Sequence, residues 1–266
     1  MDDHQIALTE RYNREAASYR DLWAPVLHVP ARALVEALRG PAARVVDLGS
    51  GVGSLLPTLK GAFPQASILG IDQSIGMLSL APPEFPRAVM DASRMALADR
   101  SVDVVVMAFM LFHLPEPLAG LREARRVLRG RGRVGTLTWV DELRSPAITC
   151  WSRCLDDHGA PELDPATKAR HEPVNSTSKV IGLLRAAGFE EARAWDEEIV
   201  ARFDLGHFYS LKTSIGADYT RFMGLEEPIR ARFLEEVRRR LEALAPADFH
   251  ATTRVVFGVG RIPGND

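Results

Sequence analysis

Between residues 40 and 140, short apolar runs alternate with segments of helical periodicity. Residues 44–48, 67–71, 87–90, 102–108 and 133–139 read as strands. Their apolar positions run together instead of alternating with polar ones, as in a parallel sheet covered by helices on both faces. Between them the spacing predicts helices over 54–62, 74–80 and 117–129. Strands alternating with helices give right-handed crossovers and an open, doubly wound α/β sheet.

Two further helices, 3–22 and 25–38, are predicted ahead of this region. After it come a helix at 145–158, a loop over 159–176 holding Pro161, Pro165 and Pro173, and a helix at 177–187 closed by Gly188 as C-cap. A strand-like tail within 190–203, a mostly helical stretch over 206–244 and a last strand at 254–259 complete the chain. The organisation expected is one domain over 1–266. Its parts are an N-terminal helical lid (1–39), a ligand-binding core (40–140) and a C-terminal half (141–266) with lid insertions and the last two strands.

Composition narrows the function classes. The 266 residues carry 33 Lys+Arg against 35 Asp+Glu, a net charge of −2, which argues against a protein built to hold phosphate backbones. No apolar run approaches the roughly 18 residues of a bilayer span. The opening Met-Asp-Asp-His-Gln is the opposite of a basic secretory segment, and two cysteines are too few for a disulfide framework. A cytoplasmic protein is expected, with a small-molecule partner, no nucleic acid and no membrane, as a monomer or homodimer. Arginines 122, 125, 126, 129, 131 and 133 read as a solvated helix face.

The most informative segment is Val45-Val46-Asp47-Leu48-Gly49-Ser50-Gly51-Val52-Gly53-Ser54. A buried strand runs into three alternate glycines and then a helix, so a ligand can lie against the bare backbone where N–H groups are free. Open α/β sheets bind ligands at this edge. The spacing is not the dinucleotide fingerprint, and no Gly-Lys-Ser/Thr of a P-loop is present. An acid ahead of the glycines suits a ligand with a cationic end. Asp72 ends the second strand, where it can accept from ribose hydroxyls. Asp91 ends the third strand, and Asp103 opens within the fourth.

This combination resembles the class I S-adenosylmethionine-dependent methyltransferases, in particular the ubiquinone/menaquinone-type small-molecule branch. The D-x-G-x-G-x-G loop, the acid on strand two, Asp91-Ala92 after strand three and Phe112-His113-Leu114 after strand four carry the likeness. Arg126–Arg133 matches the family's R-V-L-K-P-G-G only in part, with Arg131 in place of the glycine pair. The resemblance implies a Rossmann-like, doubly wound seven-stranded sheet, mostly parallel with the last strand antiparallel. It also implies S-adenosylmethionine as cofactor. Asp47, Gly49, Ser50 and Gly51 would then serve the methionine part, and Asp72 with Gln73 the ribose. Asp91, Ala92 and Met77 or Met90 would serve the adenine, and Ala108–Phe109 would pass near the sulfonium. Tyr12 and Tyr19 resemble the family's Y-x-x-x-A-x-x-Y helix; seven residues apart, they share one face.

Methyl transfer needs positioning and exclusion of water more than a base. His113 and His207 are the candidate bases, with His171 and His158 also present, and the residues do not choose among them. Phe203, Phe208, Tyr209, Tyr219 and Phe222 suit an apolar or aromatic acceptor, or an ordinary helical core. Cys150, Cys154 and His158 share a predicted helix face but lack a complementary ligand pair, so no metal is expected. The D/N-P-P-Y/F tetrad of DNA amino-methylating enzymes is absent from Ala108-Phe109-Met110-Leu111. O- or C-methylation of a small acceptor is expected. A non-methylating reaction such as a cyclisation, and an NAD-dependent oxidoreductase, stand as alternatives.

Overall fold

The computed structural model describes residues 3–165 and 169–263. Seven strands form one sheet: β1 Arg44–Leu48, β2 Ser67–Asp72, β3 Arg87–Val89, β4 Val102–Ala108, β5 Leu128–Trp139, β6 Arg193–Arg202 and β7 His250–Arg261. Their order is β3-β2-β1-β4-β5-β7-β6. The first five pair in parallel, and β7 runs antiparallel to β5 with Thr136 opposite Gly258. Val104, Val105, Val106 and Met107 of β4 are fully buried, as the unbroken apolar run predicts.

The described residues fall into two compact units. One comprises 1–140, 170–197 and 255–266; the other comprises 141–169 and 198–254. The first holds α1 Asp3–Ser18, α2 Ala24–Ala37, α3 Leu56–Ala62, α4 Ile75–Ser79, α5 Pro117–Val127 and α7 Thr177–Ala186. The second holds α6 Pro146–Asp157, α8 Leu205–Lys212, α9 Gly216–Met223 and α10 Glu227–Glu242, gathered around Trp151, whose ring meets Phe208, Tyr209 and Phe233 edge-on. The late aromatics therefore include a true core. Serines at 74, 145 and 176 cap α4, α6 and α7 with their hydroxyls, as does the Asp204 carboxylate at α8.

Several boundaries differ from expectation for physical reasons. The two N-terminal helices join through a π-helical turn, Tyr19–Trp23. Pro25 follows in the first turn of α2, where its missing N–H and its ring disfavour an ordinary i→i−4 bond and widen the turn. The last strand starts at His250 rather than 254, because 250–254 alternate exposed and buried side chains and so hid from a search for unbroken apolar runs. β5 starts at Leu128 and carries a bulge. Val102 pairs with Leu128 and Val104 with Arg133, leaving 129–132 opposite Asp103. Arg131 there takes φ +65°, a conformation glycine adopts more readily.

Of the arginines expected on a solvated face, Arg122 and Arg131 are exposed, whereas Arg125, Arg126, Arg129 and Arg133 are engaged by the protein. Arg126 reaches Glu123 and Asp99 as well as the carbonyls of Leu97 and Met95. Arg125 donates to Gly188 O at 2.9 Å, and the buried Arg133 donates to the Leu38 and Pro41 carbonyls. They tie loops to the sheet. Among the described residues, no helix is long and apolar enough to cross a membrane.

Candidate functional site

A cleft opens at the carboxyl ends of β1, β2 and β4, the edge where open α/β sheets hold their ligands. β1 delivers the chain to Gly49, whose N–H, with that of Ser50, donates to Ile71 O at 2.7 and 2.9 Å. This turns the loop over the end of β2. Gly49 and Gly51 stand at φ +75° and +54°, where a side chain would be strained. A Cβ on Gly51 would also press toward Met77 at 3.3 Å and Tyr19 at 3.8 Å, narrowing the cleft.

Asp72 governs the polar end. Its Oδ2 accepts from Gly51 N and its Oδ1 from Ser74 N, both at 2.8 Å. Each oxygen keeps a lone pair for a further donor. Burial raises the Asp72 pKa, opposed by the N–H groups of Ser74, Gly51 and Gln73. Asp47 is 2% exposed and does not line the cleft; it sits on β1 opposite Gly70 and Val106. Burial, and then the charge of Asp72, push its pKa up to about 7. With half-buried Asp72 on the wall, buried Asp47 behind it and no lysine or arginine among the lining residues, this end of the cleft favours a cation.

The other wall is α1. Gln5, Leu8, Thr9 and Tyr12 line the cleft at helical spacing, followed by Tyr19. Ala16, Ala24, Val52 and Met77 form the apolar seat beneath the two tyrosines. Asn13 Oδ1 accepts from Ser74 Oγ at 2.7 Å and Gly76 N at 2.8 Å, pinning α1 to α4. The helices are so close there that a Cβ on Gly76 would lie 2.8 Å from both Cα and O of Asn13. The Tyr12 hydroxyl lies 2.9 Å from His113 Nε2, and Gln5 Nε2 donates to His113 O at 2.7 Å. Burial raises the pKa of both tyrosines, so their hydroxyls stay protonated.

Of the residues singled out in the sequence, Tyr12, Tyr19, Gly49, Gly51, Asp72, Gln73, Met77, Ala92, Ala108, Phe109 and His113 meet in this one cleft. Ser50 turns its hydroxyl into the protein, where that oxygen is buried without a partner. Asp91 lies outside the lining, its Oδ1 accepting from Ser93 N at 2.8 Å to close its own turn. His207 is in the second unit, at the start of α8, with its ring edge-on to Phe203. In that unit His158 Nδ1 meets Cys154 O at 2.8 Å, and its Nε2 lies 3.6 Å from Glu236. Gln5, Thr9 and Asn13 were not anticipated. The heptad spacing of Tyr12 and Tyr19 defines their face and, extended backward, would have found Gln5 and Thr9.

A methyltransferase-domain family model matches residues 46–159, which begin inside β1 and take in the glycine loop, Asp72 and His113. Over these residues the chain carries a methyltransferase domain, and its likenesses support an S-adenosylmethionine-dependent methyltransferase. Its methyl donor is S-adenosylmethionine, and the cleft fits that molecule: acids for a cationic end, free carboxylate lone pairs for hydroxyls, and a bare glycine backbone. The methyltransferase is 26% identical over 171 residues to the ubiquinone/menaquinone biosynthesis C-methyltransferase of Syntrophotalea carbinolica, covering 58% of this chain and 72% of that one. It is 33% identical over 140 residues to the malonyl-[acyl-carrier protein] O-methyltransferase of Hahella chejuensis, covering 50% of this chain and 49% of that one. The chain thus spans about half the length of that second relative. The solved structure of the YcgJ protein from Bacillus subtilis shares the fold, with TM-score 0.57 at 14% identity, covering 90% of this methyltransferase and 100% of that chain. The nicotinamide and cyclisation alternatives find no support in these likenesses.

Proposed function

We infer that this methyltransferase methylates a small apolar or aromatic acceptor at oxygen or carbon. The donor half of the reading is carried by the Asp72 carboxylate, fixed by Gly51 N and Ser74 N with lone pairs left for a ligand, and the acceptor half is supported by Phe109 and His113 on the cleft wall. Asp72 and Gln73 then hold the ribose hydroxyls. The methionine part lies against Gly49 and Gly51, its ammonium favoured by Asp47. Met77, Met90 and Ala92 flank the adenine, with Asp91 beside them at the rim. The bound donor supplies a methyl carbon on a positively charged sulfur, which departs with the bonding electron pair.

The chain's own contribution is to orient the acceptor, exclude water and accept a proton. His113 is the proton acceptor this geometry favours. It lines the cleft, its backbone is tied by Gln5, and Tyr12 sits at Nε2. As a base the neutral ring donates Nε2–H to the Tyr12 hydroxyl oxygen, which makes Nδ1 the basic nitrogen, and Tyr12 thereby fixes the ring's tautomer and direction.

The test combines calorimetric titration with S-adenosylhomocysteine and transfer of labelled methyl to a panel of phenols and activated-carbon acceptors. His113→Ala should keep S-adenosylhomocysteine affinity and lose about 10²–10⁴-fold in turnover, the span of general-base catalysis. His207→Ala should retain turnover. A folded wild-type protein, freed of co-purified ligand, that binds neither donor nor product would sink the reading.

A further inference from the structure

Three aromatic rings run in a row outward from the β4 end of the cleft. Phe109 lines the cleft, and its ring meets that of Trp139, at the end of β5, with centroids 4.5 Å apart and a 35° tilt. Trp139 in turn stacks at 6.2 Å, with a 29° tilt, on Trp23 of the π-helical turn. Phe109 adopts φ +54°, a conformation unfavourable for a bulky residue, held there by its N–H donating to Leu137 O at 2.7 Å. Such strain in a cleft wall, where the surrounding structure enforces it, places the ring deliberately. The two tryptophans are only partly buried, unlike Trp151 in the second unit, which is fully enclosed. They are not the centre of a core.

The strand order separates two halves of the cleft. The glycine loop and Asp72 stand on β1 and β2, whereas Phe109 and Trp139 stand on β4 and β5, on the other side of β1. Adjacent strands lie about 4.8 Å apart, so Trp139's strand is roughly 10 Å from that of the glycines. An in-line displacement brings the nucleophile from the side of the methyl carbon opposite sulfur. With the acids holding the donor on β1 and β2, the acceptor enters from β4 and β5. We propose that Phe109, Trp139 and Trp23 form the acceptor subsite and select a planar, conjugated ring over a saturated one of equal size. The inference rests on the methyl-transfer reading and names its acceptor class. The π-helical turn belongs to the device. Tyr19 lies at its first residue and Trp23 at its last, so one turn supplies a residue to the donor end and another to the ring array.

The test uses protein saturated with S-adenosylhomocysteine and two calorimetric probes, 2-naphthol and its saturated counterpart decahydro-2-naphthol. The planar probe should bind at least about tenfold more tightly. Trp139→Leu and Trp23→Leu, which remove the ring but keep an apolar side chain, should each weaken 2-naphthol about three- to tenfold, the scale of one aromatic pair. Both should leave decahydro-2-naphthol and S-adenosylhomocysteine affinities unchanged. Equal binding of the two probes, no binding of 2-naphthol to the loaded wild type, or folded variants that bind it undiminished would each overturn the subsite. The wild-type comparison stands even if a variant fails to fold. Failure of S-adenosylhomocysteine to bind would instead strike the methyl-transfer reading, and the two probes on free protein would still judge the ring array.

Discussion

Replacing Gly76 by alanine tests how α1 is seated on α4. In an unobstructed helix the exchange gains up to about 1 kcal/mol, because alanine loses less backbone freedom. Here the added Cβ would stand 2.8 Å from Asn13 Cα and 2.8 Å from Asn13 O, main-chain atoms that no rotamer change can move aside. Helix α1 has to lift. The bonds that Asn13 Oδ1 accepts from Ser74 Oγ and Gly76 N would lengthen with it. Overpacking costs about 1–3 kcal/mol and each hydrogen bond about 1 kcal/mol, so the clash outweighs the propensity gain and leaves a net loss of about 2 kcal/mol. Tyr12 and Tyr19 ride on the same helix and its π-helical turn, so S-adenosylhomocysteine affinity should fall about tenfold with it. Urea unfolding and calorimetry measure the two effects. Gly182→Ala is the internal reference, since a Cβ there meets nothing within 4 Å and should stabilise α7 by about 1 kcal/mol. A Gly76→Ala protein as stable as Gly182→Ala, with undiminished affinity, would refute the close seating of the two helices.

Three further outcomes follow from the site and its supports. Asp72→Asn swaps one carboxylate oxygen for an amide that faces Gly51 N or Ser74 N as a second donor, and should weaken S-adenosylhomocysteine about 10- to 100-fold by calorimetry. Asp47 has its folded pKa raised to about 7, so its stabilising contribution is present below the unfolded value near 3.9 and is lost as pH rises through 7. A ligand ammonium favours the anion, so binding releases the proton. Affinity should therefore strengthen by up to about tenfold per pH unit below 7 and level off above it, and a pH series on Asp47→Asn should be flat. Arg126→Ala removes the group that joins Glu123, Asp99 and the Leu97 and Met95 carbonyls, and should cost about 2 kcal/mol in urea unfolding. Its S-adenosylhomocysteine affinity should not change, because the arginine is scaffold.

The sequence disclosed most where a physical requirement leaves a one-dimensional trace. Buried parallel strands must be apolar on both faces, so β1, β2 and β4 could be placed to within a residue. A loop that turns tightly beside a ligand needs glycines, so the Gly49–Gly51 segment was visible, as was Asp72 at the next strand end. Asp91 was placed by the same strand-end logic, yet its carboxylate closes a local turn, a use that a strand-end acid serves equally well. Three-dimensional coincidences left no trace. Nothing in the sequence around Asn13 announces a partner at Ser74, 61 residues away, and Gln5 finds His113 O across 108 residues. The arginines misled because a row of like charges at helical spacing looks solvated whether its carbonyl and carboxylate partners sit in water or in loops folded back onto it.

The sheet ends at β3 on one side and β6 on the other, and this bears on assembly. An open strand edge is a template on which another chain can add a strand. β3 is three residues long, too short to offer much of a ladder. β6 carries Asp196, Glu197 and Glu198 in succession, with Glu197 also held by the Trp195 indole N–H at 2.8 Å. A second copy that approached this edge would bring its own three acids into register with the first, and like charges set opposite one another repel. Both rims are thus guarded against fibril-like growth by edge-to-edge addition of strands.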